Sequence, residues 1–259
     1  MRYKNIALLT DFGLKDNFVG VMKGVIYKIN PNVNIIDITH EIESHNIFEA
    51  YLILKNSYKF FPEKTIFVSV VDPTVGTNRK IIIIKNNKQI FIAPDNGILS
   101  FLPNSLKIFQ VKIPNKYIES PVSNTFHGRD IFAKLAGLLS KGVNIKKLCS
   151  EIKKIEKIKI PEIKIKKNLM EGEIIYIDKF GNCFSNIEKK LFYNFIQNRN
   201  YIIKVKNLKI DKIFKNYQIN KKYGALFNSF ELLEIFVPNR NASKFLKIKK
   251  GDKVKILKL

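Results

Sequence analysis

The sequence predicts an N-terminal α/β domain with a mostly parallel sheet, followed by a smaller C-terminal β-barrel domain. Two observations lead to this prediction. In the first part of the chain, short strand-like runs alternate with segments of helical periodicity, as in a parallel sheet covered by helices. In the last part, apolar residues recur in strand-length runs separated by turn residues, which is typical of a small barrel or sandwich. An Ile- and Lys-rich segment, residues 152–167, separates the two patterns, so we expect domains at 1–165 and 166–259.

The individual elements follow from local patterns. Short apolar or β-branched runs predict N-terminal strands at residues 6–10, 33–38, 66–71, 81–84 and 90–93. Apolar residues spaced three or four apart predict helices at 18–29, 47–58 and 130–139. The clearest C-terminal strands are predicted at 173–177, 201–205, 232–237 and 253–257.

Composition narrows the class of protein. A chain of 259 residues with 46% hydrophobic residues has ample material for a buried core. It has no apolar run of about 18 residues and no signal-peptide pattern, so we expect a soluble, cytoplasmic protein without a membrane partner. Cys149 and Cys183 are too few and too isolated for a disulfide framework or a thiolate metal site.

The net charge of +24 raises the question of nucleic-acid binding. The Lys residues, however, are spread along the chain in alternation with Ile, without a dominant basic block. A biased composition explains the charge at least as well, so no nucleic-acid partner is expected.

The loop from Asp72 to Arg79 is the most informative part of the chain. It places a carboxylate at the end of a predicted strand and a guanidinium after a turn that contains Gly76. The carboxyl ends of strands border the crevice where open α/β sheets bind ligands. Arg is rare in this Lys-rich chain, which favours a role for its planar fork at Arg79. The alternative is a surface Asp-Pro turn with an ion pair.

Two further N-terminal loops carry candidate chemistry. Asp11 and Asp16 occupy a strand-to-helix turn, where sheets of this kind hold ribose hydroxyls, although helix capping is an alternative. His127 lies beside Gly128 at a predicted helix N-terminus, which would lower its pKa and suit a base or a water-orienting group. His40 and His45 lack metal-site spacing, so no metal is expected.

The C-terminal part holds polar residues in turns. Asn182 can offer a donor and an acceptor to an adenine edge, and Phe180 can stack on a base. Asn228 and Ser229 precede Glu234 in a second such segment. A simple hairpin turn is the alternative for the segment from Asp178 to Asn182.

Taken together, these motifs resemble one family. They are, in chain order, Thr10-Asp11-Phe12-Gly13 with Asp16, Val71-Asp72-Pro73 with Val75-Gly76-Thr77 and Arg79, Ala93-Pro94-Asp95-Asn96-Gly97, Thr125-Phe126-His127-Gly128-Arg129-Asp130, Asp178 with Phe180-Gly181-Asn182, and Asn228-Ser229 with Glu234. The order and spacing are similar to those of the S-adenosylmethionine hydroxide adenosyltransferases, adenosine-forming hydrolases related to the fluorinase and chlorinase.

The resemblance implies hydrolysis of S-adenosyl-L-methionine to adenosine and L-methionine, with no cofactor or metal. It implies that Asp72, Arg79 and His127 position and activate the attacking water, and that Asp11 binds the ribose hydroxyls. The resemblance further implies a homotrimer with each site between neighbouring subunits.

The remaining site residues take binding roles by the same resemblance. Asp16 would meet the methionine end of the substrate. Asn182, with Phe180, would bind adenine. Asn228 and Ser229 would hold the methionine carboxylate.

Two positions depart from the family pattern. Thr74 stands where the family usually has Gly, so a positive φ there would require a rearranged or strained loop. The family also tends to have Gly near Glu231, which affects the expected methionine pocket.

Three alternatives remain at this point. Halide transfer to C5′ is disfavoured because the halogenases lack a carboxylate at the position of Asp72, which would repel an anion. A non-catalytic S-adenosylmethionine or adenosine-binding protein is disfavoured by the intact set of Asp72, Arg79 and His127. A basic nucleic-acid-binding protein would lose affinity steeply with added salt.

Overall fold

The computed structural model describes residues 3–114, 117 and 121–259. The chain divides into two compact units, Met1–Ile158 and Lys159–Leu259. The Ile- and Lys-rich segment spans this division, and part of it forms a short strand, Lys164–Lys166.

The first unit is built on a seven-stranded sheet with the order β2-β1-β3-β5-β4-β6-β7. Its strands are β1 (Asn5–Thr10), β2 (Asn34–Thr39), β3 (Thr65–Val70), β4 (Ile81–Lys85), β5 (Ile90–Pro94), β6 (Lys107–Val111) and β7 (Cys149–Ile152). Strands β2, β1, β3 and β5 pair in parallel, whereas β4, β6 and β7 pair antiparallel. The predicted α/β class is confirmed, and the sheet is mixed, with its parallel part confined to one side.

Helices cover both faces of this sheet. On one face, α1 (Phe18–Ile29) and α3 (Lys134–Lys141) bury residues such as Met22 and Leu135 against alternate strand residues such as Leu8. On the other face, α2 (Ile47–Ser57) buries Ala50 and Leu54 against Leu9. This alternation explains the continuous apolar runs of β1 and β3, since both faces of these strands are buried.

The helix predicted at 130–139 begins earlier and is not uniform. A π-helical segment, Gly128–Ala133, precedes α3, and His127 is its N-cap residue. The Asp130 carboxylate accepts a hydrogen bond from the Ser123 backbone at 2.8 Å, which ties the incoming loop to this segment. Single π-helical turns are frequent at functional sites. Periodicity alone did not reveal it, because a π turn changes the local spacing only slightly.

The second unit is an antiparallel sheet with the order β12-β11-β15-β9-β10-β14-β13, with β8 paired to β9. Its strands are β8 (Lys164–Lys166), β9 (Leu169–Ile177), β10 (Cys183–Glu188), β11 (Tyr201–Val205), β12 (Leu208–Ile210), β13 (Gly224–Phe227), β14 (Leu232–Phe236) and β15 (Lys253–Lys258). A bridge between Ile213 and Ala225 brings the two ends of the order together, so the sheet is a nearly closed barrel. The unit also contains two short helices, α4 (Lys189–Ile196) and α5 (Ala242–Leu246).

Candidate active site

The loop after β3 contacts two other parts of the chain, the turn after β5 and the segment that leads to His127. Asn96, which follows β5, donates from Nδ2 to the Val71 carbonyl at 2.9 Å. Gly76 has a φ of 82°, and a Cβ there would lie 2.3 Å from the Asn124 carbonyl oxygen. Glycine is therefore required at position 76 for two reasons, the left-handed backbone and the close approach of the segment that leads to His127.

Arg79 bridges the two candidate reactive groups. Its Nε donates to Asp72 Oδ2 at 2.6 Å, and its Nη2, which also contacts Asp72 Oδ2, donates to His127 Nδ1 at 2.8 Å. The side chains of Arg79 and Asp72 are only 8% and 5% exposed, so solvent weakens this pairing little. The structure thus brings together the three residues that the family resemblance implies as a set.

The hydrogen bond from Arg79 also determines the tautomer of His127. A guanidinium has donors only, so Nδ1 of His127 must accept, and the neutral imidazole carries its proton on Nε2. Burial lowers the pKa of His127, and the positive charge of Arg79 lowers it further, against the opposing charges of Asp72 and Asp130. The neutral form with a proton on Nε2 is therefore favoured near neutral pH.

Asp72 and His127 both line a cavity of about 280 Å³. Asp11, at the end of β1, lines the same cavity. Phe12, Phe18 and Phe126 form an aromatic cluster at its wall, with ring centroids 5.1 to 6.1 Å apart. The cavity therefore combines polar groups with an apolar wall, as small-molecule sites do.

Asp11 is fixed by a residue that the sequence did not single out as part of this site. The backbone N–H of His45 donates to Asp11 Oδ2 at 2.9 Å, and His45 lines the cavity. Its φ of 66° is unusual for a residue other than glycine. The sequence carries no signal for this conformation. Asp16, by contrast, is exposed and is not among the residues that line the cavity.

Thr74 does not require the strained backbone that its replacement of glycine suggested. It is not among the residues with positive φ. Its hydroxyl instead donates to Asp72 Oδ1 at 3.3 Å. Threonine in place of glycine at position 74 therefore adds a hydrogen bond to the Asp72 carboxylate.

A second, larger pocket of about 860 Å³ lies in the C-terminal unit. All four residues predicted there line it, namely Phe180, Asn182, Asn228 and Ser229. Asp178 orients Asn182 by accepting from its backbone N–H at 2.8 Å and from Nδ2 at 3.3 Å. Phe180 is 74% exposed, so it is accessible to a ligand.

Asn228 shapes the turn at the edge of this pocket. Its Oδ1 accepts from the backbone N–H of Phe230 at 2.9 Å and of Leu232 at 3.2 Å. Glu231, within the same turn, has a φ of 58°. This left-handed backbone favours glycine, although Glu231 occupies the position.

Within residues 3–114, 117 and 121–259, no group of three or more His, Cys, Asp or Glu side chains is arranged to hold a metal ion. None of the helices in this part of the chain combines the length and apolar character needed to cross a membrane.

Comparison with known proteins identifies the family. Residues 6–149 match the SAM hydroxide adenosyltransferase N-terminal domain, and residues 172–255 match the C-terminal domain of the same family. The chain is 33% identical to a protein of Methanocaldococcus jannaschii named (R)-S-adenosyl-L-methionine hydrolase, over 97% of this chain and 95% of the relative.

A more distant relative and a solved structure are also similar to this chain. A protein of Nocardia brasiliensis named fluorinase is 27% identical, over 71% of each chain. The crystal structure of an uncharacterized conserved protein from Thermotoga maritima superposes with a TM-score of 0.88 at 34% identity, covering 98% of this chain and 100% of that one. The chain belongs to the SAM hydroxide adenosyltransferase family.

Proposed function

We propose that this protein hydrolyses S-adenosyl-L-methionine to adenosine and L-methionine by attack of water on C5′. The observation that carries the proposal is the hydrogen-bonded series Asp72, Arg79 and His127, whose two ends line one cavity. The name of the relative from Methanocaldococcus jannaschii, aligned over nearly the whole chain, supports this choice of substrate.

The reaction needs little chemical activation. The oxygen of water forms a bond to C5′, the bond from C5′ to sulfur breaks, and its electron pair returns to sulfur as the thioether of methionine. The sulfonium is already a good leaving group, so the protein must hold water in line with it and accept one proton. Correct positioning can supply roughly 7 to 11 kcal/mol in favourable cases. No cofactor or metal takes part in the proposed reaction.

We assign the proton to Asp72 and the orientation of water to His127. His127 Nδ1 is occupied by the donor of Arg79, and Nε2 carries a proton, so His127 offers a donor and no free acceptor. Among the described residues, Asp72 Oδ1 accepts only the long bond from Thr74, so it has capacity for a proton. General-base assistance of this kind contributes roughly 10²- to 10⁴-fold.

Substrate binding is assigned to the remaining residues. Asp11 would bind the ribose hydroxyls beside the reactive groups, which its place in the same cavity supports. Asn182 and Phe180 would bind adenine, and Asn228 with Ser229 the methionine carboxylate, in the C-terminal pocket. Asp16 would approach the methionine end from its exposed position.

We further propose a homotrimer in which each site lies between neighbouring subunits. The reactive groups and the adenine-binding groups belong to different units of the chain, so one ligand must reach both. Mixed Asp72→Ala and Asn182→Ala subunits should then regain part of the activity that each variant lacks. A lack of recovery after verified subunit exchange would place each site within one chain.

Halide transfer to C5′ is the alternative reaction, and non-catalytic binding is the alternative outside enzymes. The Asp72 carboxylate at the cavity disfavours a halide, because like charges repel strongly at short range in a partly buried site.

One experiment separates these functions. Purified protein is incubated with S-adenosyl-L-methionine in H₂¹⁸O, with chelator and with or without chloride or fluoride. We expect adenosine that carries ¹⁸O at the 5′-hydroxyl, together with methionine, and no halogenated nucleoside. A 5′-halo product would indicate a halogenase, and binding without turnover would indicate a sensor.

A further inference from the structure

The C-terminal pocket contains a buried carboxyl group that the proposed mechanism does not use. Glu234, in the middle of β14, has no exposed surface and lines the pocket. Its neighbours Leu233 and Ile235 belong to the barrel core. Because side chains alternate along a strand, Glu234 points to the opposite side of the sheet, toward the ligand pocket.

The protein itself gives the Glu234 carboxyl group little hydrogen bonding, although the side chains of Tyr217 and Asn228 lie close enough to interact with it. Within the described part of the chain, neither of its carboxyl oxygens has a hydrogen bond of normal geometry, and the same holds for Nδ2 of Asn228. Buried polar groups without partners are rare in folded proteins, since each loses its hydration without compensation. A ligand that offers hydrogen bonds to this carboxyl group would supply the missing partners.

The protonation of Glu234 narrows the kind of ligand. Burial raises the pKa of Glu234 to about 7, against the opposing influence of the nearby Tyr217 and Asn228 side chains. A carboxyl group that is partly neutral near pH 7 can both accept and donate a hydrogen bond. The amino group of adenine, beside a ring nitrogen, presents one donor and one acceptor to match it.

The pocket wall favours a flat ring over the ammonium group of methionine. Phe180, Phe184, Tyr217 and Phe227 line the same space as Glu234. Aromatic side chains stack on a purine, and an ammonium group would be better served by a fully ionised carboxylate.

We propose that Glu234 recognises the 6-amino group of adenine and sets the preference of this pocket for it. This inference rests on the proposed function, because it assumes that the pocket binds the adenosyl group. It adds a specificity residue to Asn182, at a position 52 residues later in the chain.

The test compares adenosine with purine riboside, which lacks only the 6-amino group, by calorimetric titration. Wild-type protein should bind adenosine more tightly than purine riboside by roughly tenfold. Glu234→Leu should lose most of this preference, and Glu234→Gln, which keeps an acceptor, should retain more of it. Methionine affinity should be the same in all three proteins.

Glu231→Gln is the matched control. Glu231 is an exposed carboxylate three residues away that pairs with Lys189, and it does not line the pocket. This variant should keep the wild-type preference for adenosine. Thermal melting of each variant checks that it is folded before titration.

Two outcomes would overturn the inference. One is an unchanged preference for adenosine in folded Glu234→Leu. If Glu234→Leu does not fold and Glu234→Gln does, the equivalent result is no loss of preference in Glu234→Gln. The other is a loss of methionine affinity while the preference for adenosine is unchanged. That result would mean that Glu234 binds the methionine part of the substrate and not adenine. Turnover of S-adenosyl-L-methionine by the same wild-type preparation tests the proposed function separately.

Discussion

The cavity beside Asp72 and the C-terminal pocket differ in how their polar groups are hydrogen-bonded. In the N-terminal unit, Asp72, Arg79 and His127 satisfy one another through short hydrogen bonds. Among the described residues of the C-terminal unit, the carboxyl group of Glu234 and the amide nitrogen of Asn228 are buried without a hydrogen bond of normal geometry. The first arrangement holds reactive groups in a set geometry before a ligand arrives. The second leaves hydrogen-bonding capacity for the ligand itself, so the two cavities suit chemistry and recognition respectively.

The largest effect is expected from Asp72→Asn, which removes the proton acceptor while keeping the size of the side chain. We expect turnover to fall by roughly 10²- to 10⁴-fold, because general-base assistance is lost, with little change in substrate affinity. Single-turnover kinetics and equilibrium binding measure the two quantities. Glu63→Gln, which alters an exposed carboxylate paired with Lys88, is the control and should behave as wild type. A normal turnover rate for Asp72→Asn would mean that another residue is the general base.

Gly76→Ala tests whether the N-terminal arrangement depends on the backbone of its loop. A methyl group there meets the Asn124 carbonyl, and alanine disfavours the left-handed backbone. We expect a loss of about 2 to 3 kcal/mol in the free energy of unfolding, measured by denaturant titration, together with lower turnover. Gly20→Ala in α1 is the control, since no atom lies within 4 Å of the added carbon, and it should be neutral or stabilising. Equal stability of the two variants would contradict the assigned role of Gly76.

The lowered pKa of His127 predicts how the N-terminal arrangement responds to acid. In the folded protein, His127 should titrate below the ordinary value of about 6.5, and Arg79→Gln should raise its pKa by removing a neighbouring positive charge. The unfolded chain then binds the proton more readily, so this group reduces stability as the pH falls below about 6.5. NMR titration resolves the effect among only three histidines. A titration midpoint of His127 above pH 6.5 would contradict its burial beside the positive charge of Arg79.

The smallest effect is expected from Glu231→Gly at the edge of the C-terminal pocket. Glycine relieves the left-handed backbone at this position, but it also increases the freedom of the unfolded chain and removes an exposed ion pair with Lys189. We expect a change of less than about 1 kcal/mol in the free energy of unfolding. Lys189→Ala isolates the contribution of the ion pair. A large destabilisation would show that the Glu231 side chain makes stabilising contacts in addition to its ion pair with Lys189.

Several features were accessible from sequence because they depend on local patterns. Short apolar runs and helical spacing predicted β1, β3, α1 and α2 close to their observed positions, since burial of one or both faces dictates such periodicity. Polar residues at strand ends, such as Asp11 and Asp72, were identified by their place in the chain. The half-buried strand β7 and the short β8 carry weaker patterns and were not predicted.

Local patterns and motifs were therefore enough to predict the fold class, the family and the loops that carry the candidate site. Three features became visible only in three dimensions: Arg79 bridges Asp72 and His127, His45 supports Asp11, and the buried Glu234 has no hydrogen bond of normal geometry among the described residues. The physical reason is the range of the interactions. Helical and strand periodicity records the burial of neighbouring residues, whereas a contact between residues 48 apart depends on the topology of the sheet and the backbone of the loops between them.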